Sequence, residues 1–71
     1  MKVIDLHGIR HKDVSDVMVK YCSEYETPFE VITGNSPTMK KIVSAVAERF
    51  NLITRDSIGN TGRLVIDEAR R

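Results

Sequence analysis

The sequence predicts an α/β domain, a two-layer β-α-β-α-β-β sandwich with two helices on a four-stranded mixed sheet. Three observations carry this. Apolar residues recur at helical spacing in two stretches, from Val14 to Tyr25 and from Met39 to Phe50. Short segments rich in β-branched residues alternate with those stretches and follow them. Proline and glycine punctuate the boundaries at Thr27-Pro28, Gly34, Ser36-Pro37 and the segment from Gly59 to Gly62. With 71 residues the chain is long enough for one domain and too short for two. Residues 1–71 are read as that domain, with a core at about 3–67 and a frayed tail at 68–71.

The elements follow in order. Residues 1–6 form a strand that ends at His7-Gly8. Asp13 is expected to cap the first helix, whose buried stripe is Val14, Val17, Met18, Tyr21, Cys22 and Tyr25. Thr27-Pro28 stops it, since proline restricts the residue before it and cannot continue the hydrogen-bond ladder. Residues 29–33 form the second strand. Ser36 caps the second helix, with Pro37 at its first position and a stripe of Met39, Ile42, Val43, Val46, Ala47 and Phe50. Asn51 ends that helix. Residues 52–57 and 64–67 are a strand pair joined through Gly59-Asn60-Thr61-Gly62.

The first two strands should be parallel, linked by a right-handed crossover through the first helix. Their C-terminal ends then share one edge, so His7-Gly8 neighbours Thr33-Gly34-Asn35-Ser36. Open α/β sheets hold ligands beyond such strand ends.

Side chains alternate along a strand, so Ile4 and Leu6 face the helices while Asp5 and His7 lie on the other side. An aspartate is unfavourable inside a strand and needs a reason. A carboxylate beside an imidazole can orient it and favour its charged form, giving an acid/base pair. The plainer alternative is an Asp5 that pins the loop and a His7 that is merely exposed. His11, just before the expected helix start, fits a surface role better than a catalytic one. Gly34-Asn35-Ser36 opens onto a helix N-terminus, whose N–H groups and dipole attract phosphate, with Lys40 and Lys41 a turn further in. Many Ser-Pro helix starts bind nothing. Gly59 and Gly62 are explained by turn geometry, and a close phosphate would use the same freedom.

Other classes are disfavoured. Neither a Walker loop nor a dinucleotide fingerprint is present. Asp5, His7 and His11 make a poor ligand set, so no metal is expected, and no cofactor either. Aromatic residues are 6% of the chain and take core-like spacing, against a base-stacking platform. The single cysteine, Cys22, forms no internal disulfide, and no apolar run approaches the ~20 residues of a membrane helix. The start of the chain reads as a strand rather than a signal peptide. These features lead to the expectation of a cytoplasmic protein with no membrane association. The net charge is only +1, but residues 33–63 carry Lys40, Lys41, Arg49, Arg55 and Arg63 against Glu48 and Asp56. That half is the better candidate to face phosphates, with an ordinary mixed surface as the alternative.

Ile4-Asp5-Leu6-His7-Gly8 resembles the Leu-Asp-Leu-His-Gly signature of the Smr (small MutS-related) domain family. The resemblance spans about residues 3–67. The family's second signature, His-Gly-x-Gly, is matched by Thr33-Gly34-Asn35-Ser36, which keeps only Gly34. The third, Gly-Gly-x-Gly, is matched by Gly59-Asn60-Thr61-Gly62, which keeps the outer glycines. The resemblance implies a fold like the C-terminal domain of translation initiation factor 3. It also implies nucleic-acid binding, with endonuclease activity in many members and the ribosome as a partner of some. Asp5 and His7 match positions linked to cleavage, and Gly34 and Gly62 match loop glycines. Thr33 replaces an imidazole, which puts the family's full chemistry in question. The chain would be a minimal, free-standing member.

The leading expectation is a metal-independent endonuclease acting on RNA in preference to DNA. Asp5 and His7 would be catalytic. Gly8, Thr33, Gly34, Asn35, Ser36, Lys40, Lys41, Gly59, Gly62 and Arg63 would line the substrate. The alternatives are a non-catalytic RNA- or DNA-binding module and a protein-interaction domain using the acidic first helix. The sequence leaves the oligomeric state open.

Overall fold

The computed structural model describes residues 1–69. Its elements are β1 (Lys2–Asp5), α1 (His11–Glu24), β2 (Phe29–Ile32), α2 (Pro37–Arg49), β3 (Leu52–Ser57) and β4 (Asn60–Glu68). The four strands form one mixed sheet in the order β1-β2-β4-β3. β1 and β2 are parallel, with Ile4 opposite Val31, and β4 runs antiparallel to both β2 and β3. This is the expected two-layer α/β architecture. Both helical connections step across the sheet in the same direction, so two right-handed crossovers put both helices on one face. There α1 and α2 pack against each other.

The core lies between that helical layer and the sheet. Leu6, Phe29, Val31 and Ile66 from the sheet meet Val14, Met18, Val43 and Ala47 from the helices, all with no exposed surface. Each large side chain so buried contributes about 1.5–3 kcal/mol relative to exposure. Tyr25 closes one end of this layer. It stacks on Tyr21 at 5.2 Å between centroids and meets Phe29 edge-on at 6.2 Å.

The local signals for α2 act as expected. Ser36 caps it by accepting a hydrogen bond from the Met39 N–H at 3.1 Å, and Pro37 is the first helical residue. Asn51 follows its end with φ 60°, the left-handed conformation asparagine tolerates beyond a helix C-terminus.

Three boundaries differ from expectation. Asp13 does not cap α1: the helix starts three residues earlier than that cap would place it, after Arg10, which makes no side-chain cap. Asp13 instead lies in the first turn, where its charge complements the helix dipole. Second, β4 begins at Asn60, so the hairpin turn is only Ile58-Gly59, with Gly59 at φ +74°. Gly62 is therefore a strand residue, at the register shift between β3 and β4, with its carbonyl bonded to the segment after β2. Third, Glu68 belongs to β4 and not to a tail, since it pairs with Leu52. Ala69 follows the strand, and positions 70 and 71 of the expected tail lie outside the described residues. Among the described residues no helix is long and apolar enough to cross a membrane.

Candidate nucleic-acid interface

The parallel pairing of β1 and β2 brings their C-terminal ends to one edge. The ladder runs one bond past β1, from the Leu6 N–H to the Ile32 carbonyl at 2.9 Å. The chain then turns through Leu6-His7-Gly8-Ile9, closed by the Ile9 N–H on the Leu6 carbonyl at 3.0 Å. Asp5 Oδ1 accepts the main-chain N–H of His7 at 2.9 Å. The carboxylate thus shapes the backbone that carries the imidazole, as in an Asx turn. The His7 ring leans toward Gly34: its Cδ2 lies 3.9 Å from where a β-carbon on Gly34 would stand. Asp5 and His7 are both exposed, at the edge the sequence predicts.

The loop after β2 is braced by the start of β4. The Gly62 carbonyl accepts the N–H groups of Thr33 and Gly34 at 2.9 and 3.0 Å. The Thr33 hydroxyl lies 2.8 Å from the Gly34 carbonyl and 3.3 Å from that of Gly62, and Thr33 is 2% exposed. Thr61 Oγ1 donates to Asn35 Oδ1 at 2.8 Å, and the Lys40 ammonium donates to the Thr61 carbonyl. Asn60 Oδ1 accepts the Gly62 N–H at 2.9 Å, fixing the start of the strand. The segments from 33 to 36 and from 60 to 62 therefore form one hydrogen-bonded unit with the first turn of α2.

This network revises two expectations. The Gly34 N–H is held by Gly62 and is not free to receive a phosphate. Thr33 is turned inward and lines no open surface. Among the described residues the Asn35 and Ser36 N–H groups have no acceptor, so they are the loop's available main-chain donors. Gly34 itself has φ +65°, which explains the glycine through backbone conformation.

The other expected contacts divide. Gly8 is exposed beside His7 in open space, leaving room for a ligand. Lys40 belongs to the cluster through Thr61, whereas Lys41 is exposed and makes no hydrogen bond to it. Gly59 sits at the hairpin tip, two residues from Thr61 and its bonds to Asn35 and Lys40. Asp5, Ile32 and Arg63 form one row across three strands. Arg63 is committed to Glu30, with 3.2 Å between Nη1 and Oε1. Among the described residues no three His, Cys, Asp or Glu side chains are grouped to hold a metal ion.

His11 is exposed, as a surface role expects, and also lies against the loop before α2. Because α1 starts earlier than its sequence signals indicate, His11 is its first residue, with Nε2 3.4 Å from Ser36 Oγ. The parallel topology carries the usable signal, since the first residues of α1 must leave from the edge where α2 begins.

Comparison with protein-family models, curated proteins and solved structures gives no significant match.

Proposed function

We propose that this chain is a nucleic-acid-processing domain of the Smr type that cleaves RNA. The reading rests on one observation above the rest: His7, carried on a backbone shaped by Asp5, leans over Gly34 in a loop braced by the start of β4. An exposed imidazole beside an anion-attracting edge is what phosphodiester cleavage needs. It supplies proton transfer, and the Asn35 N–H and the Lys40 ammonium supply donors for the phosphate. Lys40 retains further N–H groups beyond the one given to Thr61. With the neighbouring 2′-hydroxyl as nucleophile, the products are a 2′,3′-cyclic phosphate and a 5′-hydroxyl, and DNA is spared.

The test is incubation of matched single-stranded RNA and DNA in EDTA, with analysis of the product ends. RNA cut to cyclic-phosphate ends supports the proposal. Equal cutting of DNA, or an absolute need for magnesium, contradicts it.

One observation favours a binding module without catalysis. Thr33, where the resembled family has an imidazole, is buried and bonded to main-chain carbonyls, so its side chain offers the solvent no proton-transfer group. That reading expects salt-sensitive retention of RNA with no cleavage and no effect of His7→Ala.

A further inference from the structure

We infer that His11 is the general base of this site and that His7 is its acid, an inference that rests on reading the site as one that cuts RNA. His7 and His11 border the same short loop. The ring of His7 leans on Gly34 and Nε2 of His11 faces Ser36 Oγ at 3.4 Å. Gly34 and Ser36 are two residues apart, a span of at most about 7 Å. That spacing suits two groups flanking one phosphate.

The contact with Ser36 is the ground for giving His11 the role of base, because it places a hydroxyl beside Nε2. Ser36 Oγ already accepts the Met39 N–H at 3.1 Å, so its own O–H is left to donate. Nε2 of His11 lies 3.4 Å away, and in the tautomer protonated on Nδ1 its lone pair accepts that O–H. A substrate 2′-hydroxyl taking the place of Ser36 Oγ meets the same acceptor. His11 is exposed, so a nucleotide can reach it. Buried Thr33 provides no competing base.

The step balances with no co-reactant. Nε2 of His11 takes the proton of the 2′-hydroxyl, and the 2′-oxygen forms a bond to the adjacent phosphorus. The bond from phosphorus to the 5′-oxygen breaks, and the imidazolium of His7 gives its proton to that departing oxygen. A 2′,3′-cyclic phosphate and a 5′-hydroxyl result.

The test uses an oligonucleotide with a single ribonucleotide, made with either oxygen or sulfur at the departing 5′ position. Sulfur leaves as a thiolate and needs no acid. His11→Ala is expected to slow cleavage of the oxygen substrate about 100-fold or more, within the range for loss of a general base. His11→Gln, which keeps a hydrogen-bonding side chain, is expected to be equally slow. Both should bind the uncleavable 2′-deoxy oligonucleotide as wild type does. Sulfur should restore His7→Ala toward the wild-type rate and leave His11→Ala slow. Wild-type rates in His11→Ala alongside an inactive His7→Ala would overturn this inference alone. So would restoration of His11→Ala by sulfur, or a rate loss matched by lost affinity. Failure of the wild-type protein to cut either substrate would overturn the proposed function as well.

Discussion

The carboxylate of Asp5 holds the main-chain N–H of His7, with Oδ1 2.9 Å from the nitrogen just past the end of β1. The sequence expectation places the carboxylate against the imidazole; the bond found is to the backbone that aims it. An amide oxygen accepts the same bond. Asp5→Asn is therefore expected to keep cleavage within a few-fold of wild type. Asp5→Ala is expected to lose about 10-fold or more through misplacement of His7. Cleavage rates of the two variants decide the matter. Equal losses would mean that the charge of Asp5 acts, not its hydrogen bond.

Gly34 and Gly62 approach each other closely, yet they should respond differently to a β-carbon. Gly34 has φ +65°, so Gly34→Ala is expected to cost about 1–2 kcal/mol. A β-carbon on Gly62 would meet Gly34 Cα at 3.5 Å and Asn60 Oδ1 at 3.4 Å, ordinary contacts. Gly62→Ala should change stability by less than about 1 kcal/mol. Urea unfolding of both variants measures this, and equal losses would contradict it.

Two ion pairs among the described residues of the sheet should be worth different amounts. In the first, the Glu30 side chain is 11% exposed beside Arg63 at 36%. In the second, Arg55 and Asp67 are 55% and 31% exposed at 2.8 Å. Arg63→Ala strips the partner from a nearly buried carboxylate and is expected to cost about 1–3 kcal/mol. Arg55→Ala should cost about 0–1 kcal/mol, as for exposed pairs. Thermal or urea unfolding should rank Arg63→Ala as the more damaging.

Burial pushes the Cys22 thiol above its ordinary value of 9.0. The folded chain therefore holds this proton more tightly than the unfolded chain does. Stability is fully present below the unfolded pKa and falls as pH rises from there through the folded pKa. Alkylation by iodoacetamide should be slower in the folded protein than in urea, with its rate–pH midpoint displaced upward. Identical midpoints in the two states would contradict this.

The fold was legible wherever local signals and topology agree. Ser36-Pro37 marks the start of α2 because cap and first turn act within four residues. The parallel β1–β2 pairing brings His7 beside Gly34, as the crossover requires. The start of α1 was misplaced because Asp13 has the chemistry of a cap, while the chain enters helix after an uncapped Arg10. The earlier start is what sets His11 beside Ser36. Gly62 reads as a turn residue, and only its bonds to the segment after β2 show it to be part of β4. The bond between Asp5 and the His7 backbone is invisible in an Asp-x-His spacing, which serves ring and main chain equally. Nor does the sequence reveal that Gly62 takes the Gly34 N–H, since that contact joins segments 28 positions apart.

The most direct test of the account is His7→Ala with end-labelled single-stranded RNA in EDTA, with binding followed on the uncleavable 2′-deoxy oligonucleotide. Wild type is expected to cut the RNA, and the variant to bind normally while losing at least about 100-fold in cleavage. Undiminished cleavage by the variant would contradict a mechanism built on His7.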